Sequence, residues 1–121
     1  MAVESDSGPR IDIATNSHRV RVIHGGVTFA DTQHALTLIE SGLPAVFYFP
    51  RADVNMARLE RSAHTSHCPH KGDASYYHLR TEGGLVENAV WSYEQPFDRV
   101  RKIEGYLAFH ASRVDRIDQT S

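Results

Sequence analysis

A chain of 121 residues with 40% hydrophobic and 23% charged positions has the composition of a soluble protein with one core, which excludes disorder throughout and leaves no material for a second core. Its formal charge of −2 supplies no basic stripe for a phosphate backbone or an anionic bilayer, so neither nucleic acid nor membrane is an expected partner. A single cysteine forms no internal disulfide, and Glu4 and Asp6 stand where a secretory signal would be basic; a cytoplasmic location is expected.

Residues 1–17 mix Ser, Asp, Gly, Pro and Asn without periodicity and read as a flexible lead. From His18 the pattern alternates, Arg19 and Arg21 against Val20 and Val22, and Gly25-Gly26 reverses the chain into Val27, Phe29 and Asp31 as a hairpin. HALTLIESGLP suits a strand or a single helical turn. Ala45–Pro50, AVFYFP, is apolar on both faces and reads as a strand within the core, ended by Pro50. This region, from Leu43, is also the longest apolar run and falls far short of the ~20 residues of a membrane-spanning helix.

RADVNMARLERS predicts one or two helical turns with Asp53 as a cap. ASYYHLR and LVENAVWSY predict two strands joined by a turn at TEGG, FDRVRKIEG a helical turn, and YLAFH a last aromatic strand. Residues 116–121 read as a polar tail behind a single β-rich domain over 18–115. The sum is an all-β or β-dominated antiparallel fold of about seven short strands with one or two brief helical turns.

The stretch HTSHCPHKGD, His64 to Asp73, holds three histidines, the only cysteine and a Lys-Gly pair. His64, His67 and His70 are candidate zinc ligands with Cys68, and His78 is the nearest spare one, but no Cys-x-x-Cys or second His/Cys pair completes a structural site. Cys68, beside His67 and three residues before Lys71, is a candidate nucleophile because nearby positive charge favours the thiolate; Lys71 is the other catalytic candidate. Lys71-Gly72 also offers a point charge and a turning backbone to an anion, although the residues around it do not complete a Walker loop. Pro69, Gly72 and Asp73 equally make an ordinary turn.

In LVENAVWSY, Val86, Asn88 and Val90 share one face of an extended strand while Ala89, Trp91 and Tyr93 share the other. Asn88 between two valines calls for a specific partner, since an unpaired buried amide costs about 1–3 kcal/mol. Trp91, Tyr93, Tyr76, Tyr77 and Tyr106 supply rings that either line a groove or fill the core.

The segments TSHCPHKGDASYY, ENAVWSY, VFYFPRADV and IEGYLAFHASRVD resemble the domain-of-unknown-function 427 family, also labelled a nucleotidyltransferase-type domain. The family pattern matches at Thr65, Cys68, Pro69, Lys71, Gly72, Tyr77, Asn88, Trp91, Tyr93, Gly105 and Tyr106; His70 stands where an aromatic is expected. The resemblance implies a compact β-rich fold, of the β-tent kind, with the Cys-Pro-x-Lys-Gly loop beside a groove. Nucleotidyl transfer commonly uses clustered carboxylates to hold two divalent ions, and the sequence contains no Asp-x-Asp.

The leading expectation is a cleft for a polar or anionic small molecule built from Thr65, His67, Cys68, Lys71, Tyr77, Asn88, Trp91 and Tyr93, with Lys71 and Asn88 facing the same hollow. An enzyme of nucleotidyltransferase type or with a reactive Cys68 is one alternative, and a structural or interaction module the other. The sequence leaves the cofactor unknown.

Overall fold

The computed structural model describes residues 9–120 as ten strands in three antiparallel sheets, with 3-10 turns as the only helical segments among those residues. The first sheet has the order β1-β4-β5, from Ile11–Asn16, Ala35–Glu40 and Val46–Tyr48. The second has β10-β2-β3, from Arg116–Thr120, Arg19–His24 and Val27–Thr32. The third has β6-β7-β8-β9, from Leu59–Cys68, Gly72–Thr81, Gly84–Ser92 and Leu107–Phe109. The all-β fold read from the sequence is the observed one.

The strands follow from side-chain periodicity. In β2 and β3 the buried Val20, Val22 and Phe29 come from the inward set of the expected hairpin, and Gly25 and Gly26 both adopt positive φ between them. That is the tight reversal a Gly-Gly pair permits. HALTLIESGLP resolves as a strand, because Leu36 and Leu38 bury on one face of β4 while Thr37 and Ile39 lie outward.

Three expectations are corrected. The part of the supposed lead that falls on Ile11–Asn16 is β1, laddered to β4 from Ile11↔Glu40 to Asn16↔Ala35; residues 1–8 of that lead lie outside the described residues. Arg116–Thr120, read as a polar tail, is β10, paired with β2. Both are edge strands, where one neighbour supplies the ladder and little apolar content is needed, so hydropathy alone does not reveal them. Asp53 is not a cap either. It ends the 3-10 turn Arg51–Asp53, and its carboxylate accepts the Thr32 hydroxyl at 2.6 Å.

The four-stranded sheet carries a hydrophobic cluster on each face, two where the chain length led to the expectation of a single core. Alternation in β8 and β9 sends Val90, Leu107 and Phe109 with Tyr77 to one side, against Val20, Val22 and Phe29. It sends Trp91, Tyr93 and Ala108 with Ala74 and Tyr76 to the other, against Leu36, Leu38 and Tyr48. The β5 region joins this sheet through one antiparallel pair, Phe49↔Leu107, with both backbone bonds made at 2.7 and 2.9 Å.

Candidate functional site

Two irregularities flank β7. In β6 the register passes from Arg61↔Tyr77 to Thr65↔Ser75, so three residues of β6 stand opposite Tyr76 alone. In β8 it passes from Val86↔Leu79 to Val90↔Tyr77, so three residues stand opposite His78 alone. These bulges cost ladder bonds, which side chains replace. His78 Nδ1 accepts the Asn88 N–H at 3.0 Å, and Ser62 Oγ accepts the His64 N–H at 3.0 Å. Ser62 Oγ then donates to Asn88 Oδ1 at 2.6 Å, tying the two bulges across the intervening strand. Asn88 has φ +52°, the left-handed region that asparagine tolerates better than most non-glycine residues.

The Cys-Pro-x-Lys-Gly segment closes the β6–β7 hairpin. Gly72, at φ +114°, brings the turn so close to Gln95–Phe97 that an added Cβ would lie 3.5 Å from the Gln95 carbonyl oxygen. The Phe97 N–H donates to the Lys71 carbonyl at 2.9 Å. The Lys71 side chain points inward: its residue is 8% exposed, and Nζ meets Glu40 Oε1 at 2.6 Å, with Cys68 Sγ at 3.9 Å. Tyr48 and Tyr93 pack beside them. Burial raises the Tyr48 phenol to about 12 and pushes Tyr93 well above the usual tyrosine range, so neither ring is a proton donor or acceptor near neutrality.

The concave surface lies elsewhere. Beyond the Phe49↔Leu107 pair, Val46 and Phe47 face Phe109 and His110 across a cleft of about 440 Å³, walled also by Trp91 and Ile117. A second hollow of about 350 Å³ opens on the other side of His110, lined by His64, Tyr76, Asn88, Ser112 and Arg113. His110 divides the two. Its N–H is anchored to the Ala89 carbonyl at 2.8 Å, and its ring lies 4.4 Å from Trp91 and stacks parallel to Tyr76 at 6.3 Å. Tyr76 in turn contacts His64 at 4.6 Å, which completes a row of four rings. Burial, and then the nearby Arg113 charge, holds the His110 imidazole below the usual histidine range. Arg113 has no carboxylate within 4 Å among the described residues.

A larger hollow of about 600 Å³, bordered by Arg19, Asp31, Thr32 and Asp53, is a weaker candidate because its polar groups satisfy one another. Arg19 grips Asp31 with two bonds of 2.9 and 2.7 Å, and Thr32 holds Asp53.

Residues 12–120 match the model of a domain of unknown function, DUF427. The chain belongs to the DUF427 family. A search of curated proteins finds no match.

In this DUF427 chain the sequence-derived site residues disperse. Lys71 and Asn88 do not share a hollow: Lys71 adjoins the start of β7 and Asn88 lies opposite His78, which at ~3.3 Å per residue is roughly 20 Å along the strand. Tyr93 and Cys68 border the interior of the Lys71 cluster. Thr65 and His67 are exposed on β6, and His67 Nδ1 is paired to Asp73 at 2.6 Å. Tyr77 belongs to the opposite face of the sheet, where its hydroxyl donates to Glu94 Oε2 at 3.1 Å. Of the eight residues expected to form the ligand cleft, Asn88 and Trp91 alone border the two hollows at His110.

As for the metal candidates, the His64 ring packs against Tyr76, His67 Nδ1 is paired to Asp73, His70 lies half-buried in the β6–β7 turn, and no three His, Cys, Asp or Glu side chains converge among the described residues. The aspartates relevant to nucleotidyl transfer are equally scattered, Asp53 on Thr32, Asp73 on His67, Asp115 on the Gly25 N–H and Asp118 beside Arg116. Sequence reasoning missed His110, Ser112 and Arg113. A histidine ending an aromatic strand and followed by Ala-Ser-Arg was the available signal.

Proposed function

We propose that this DUF427 protein binds a small molecule with a flat apolar body and an acidic head, the body against Trp91, Phe47 and Phe109 and the head toward Arg113. The single observation that supports this reading is the place of His110, between an apolar cleft and a polar one. A site of a few hundred Å³ with apolar walls and few polar groups is what small ligands use. Arg113 brings a charge that no side chain of the described chain neutralises, and Ser112 an adjacent hydroxyl. The polar or anionic ligand expected from the sequence is retained, but its support comes from the His110 cleft rather than from the Cys-Pro-x-Lys-Gly turn.

Trp91 is the only tryptophan in the chain, so its emission reports on the cleft directly. Titration with anilinonaphthalene sulfonate, an apolar ring system carrying one anion, is expected to quench Trp91 in a saturable way. Arg113→Glu is expected to weaken binding by at least about tenfold, the worth of one charge-assisted hydrogen bond, with unchanged folding by circular dichroism. Quenching that does not saturate, or that is indifferent to Arg113→Glu, rejects the reading.

The pH dependence has a definite sign. In the free protein His110 favours its neutral form, so the stability this contributes is complete above the unfolded value near 6.5 and is lost as pH falls through the lower folded value. A bound anion favours the imidazolium and moves that value back up. Affinity for the sulfonate is therefore expected to rise from pH 7 to pH 5 while the unliganded protein loses stability, and His110→Gln is expected to flatten both trends. The His110 imidazole proton shift, followed by NMR with and without the probe, checks the assignment.

A further inference from the structure

On the opposite face of the four-stranded sheet, four elements bring their side chains to one point. Arg51 comes from the 3-10 turn after Pro50, Arg61 from β6, Tyr77 from β7, and Glu94 from the segment following β8. Arg51 Nη2 donates to Glu94 Oε2 at 3.0 Å, and the Tyr77 hydroxyl reaches the same oxygen at 3.1 Å. Arg61 spans the carboxylate, at 3.3 Å to Oε1 and 3.5 Å to Oε2. The two guanidinium carbons lie 5.8 and 5.4 Å from the Tyr77 ring centre. Two serine hydroxyls complete the surround, Ser92 toward Arg51 at 3.5 Å and Ser75 toward Arg61 at 3.0 Å.

This is more donor capacity than one carboxylate uses. Three of the four contacts crowd onto Oε2 while Oε1 takes one, and two positive charges face a single negative one. A tetrahedral dianion would cancel both charges and present three oxygens where Glu94 presents two, the geometry that arginine forks suit best. The site is also reachable: the Glu94 side chain is 35% exposed, Arg51 37% and Arg61 56%. Glu94 lies beyond the last ladder pair of β8, Ser75↔Ser92, so its side chain can swing out without breaking strand pairing.

We propose that Arg51, Arg61 and Tyr77 form a binding site for a phosphate group, and that Glu94 is its internal occupant, displaced when phosphate enters. The phosphate is either the free ion or the terminal group of a small phosphomonoester. This site is separate from the His110 cleft and does not depend on it.

Phosphorus NMR titration of the full chain with inorganic phosphate, at constant ionic strength set by chloride, tests the proposal. Glu94→Gln removes the competing charge and keeps the side-chain shape, so it is expected to bind phosphate at least tenfold more tightly than the wild type. Adding Arg61→Ala to Glu94→Gln is expected to abolish that binding. Phenyl phosphate in a parallel arm separates the two sources: tighter binding than the free ion identifies an ester, equal or weaker binding the ion. Should Glu94→Gln not fold, the wild type at tens of millimolar phosphate is the second measurement, with selective shifts of the Arg51 and Arg61 Nε–H signals expected. No saturable binding in Glu94→Gln, binding that survives loss of Arg61, or unmoved arginine signals would each overturn the assignment.

Discussion

Lys71→Met is expected to cost about 3–5 kcal/mol of folding stability, and Lys71→Met combined with Glu40→Leu to recover most of that loss. The reason is the setting of the pair. Both residues are under a tenth exposed, and the ammonium and carboxylate meet at 2.6 Å between the β6–β7 turn and the end of β4. Two charges taken out of water are tolerable because each neutralises the other. Removing one strands the second beside the buried Tyr48 and Tyr93, where desolvation is uncompensated.

Urea denaturation of the two single variants and the double variant closes the cycle. Near-equal losses for Lys71→Met and Glu40→Leu, with a coupling that restores the double variant, is the expected pattern. Lys71→Met with unaltered stability but reduced ligand affinity would mean that the lysine serves a ligand after all, and that the buried pair is incidental. The same measurement therefore decides between a lysine that holds two sheets together and one that faces a substrate.

Substitutions at Asn88 are expected to rank by backbone conformation as well as by lost hydrogen bonds. Asn88→Ala removes the acceptor of the Ser62 hydroxyl and places an alanine at φ +52°, for a combined loss of about 2–4 kcal/mol. Asn88→Gly forfeits the same hydrogen bond but adopts that φ without strain, so it is expected to retain about 1 kcal/mol or more relative to the alanine. Asn88→Val is expected to be the worst of the three, since a β-branched residue is poorly accommodated there. Denaturant midpoints measure the series. A glycine variant less stable than the alanine variant would show that the left-handed backbone is not a constraint.

The sequence displayed the fold in those parts where one side-chain pattern decides the outcome. The β2–β3 hairpin around Gly25-Gly26 and the β7–β8 hairpin around TEGG were both legible, because alternation and turn chemistry agree there. The strands β1 and β10 were not, since IDIATN and RIDQT become strands through their partners β4 and β2 rather than through their own apolar content.

The candidate site was legible only in fragments. Asn88 was expected to have a specific partner and has one in Ser62, yet strict alternation across LVENAVWSY was the wrong premise, as the β8 bulge interrupts it beside that asparagine. The supposed meeting of Lys71 and Asn88 failed for a related reason. Sequence proximity does not show that a turn lysine folds inward onto a glutamate thirty-one residues earlier. His110 and Arg113 escaped notice because they follow β9 outside any recognised motif, and only the fold brings them beside Trp91 in one hollow and His64, Tyr76 and Asn88 in the other.

The bulge in β6 also bears on how copies of the chain treat one another. β6 is the outermost strand of its sheet, ten residues long, and a straight strand of that length would offer an uninterrupted template for further chains to dock and polymerise. The kink at Ser62–His64 breaks that template midway and turns its two halves out of line. By bonding the His64 N–H on its own strand and Asn88 two strands away, the Ser62 hydroxyl helps hold that interruption of the sheet edge in place.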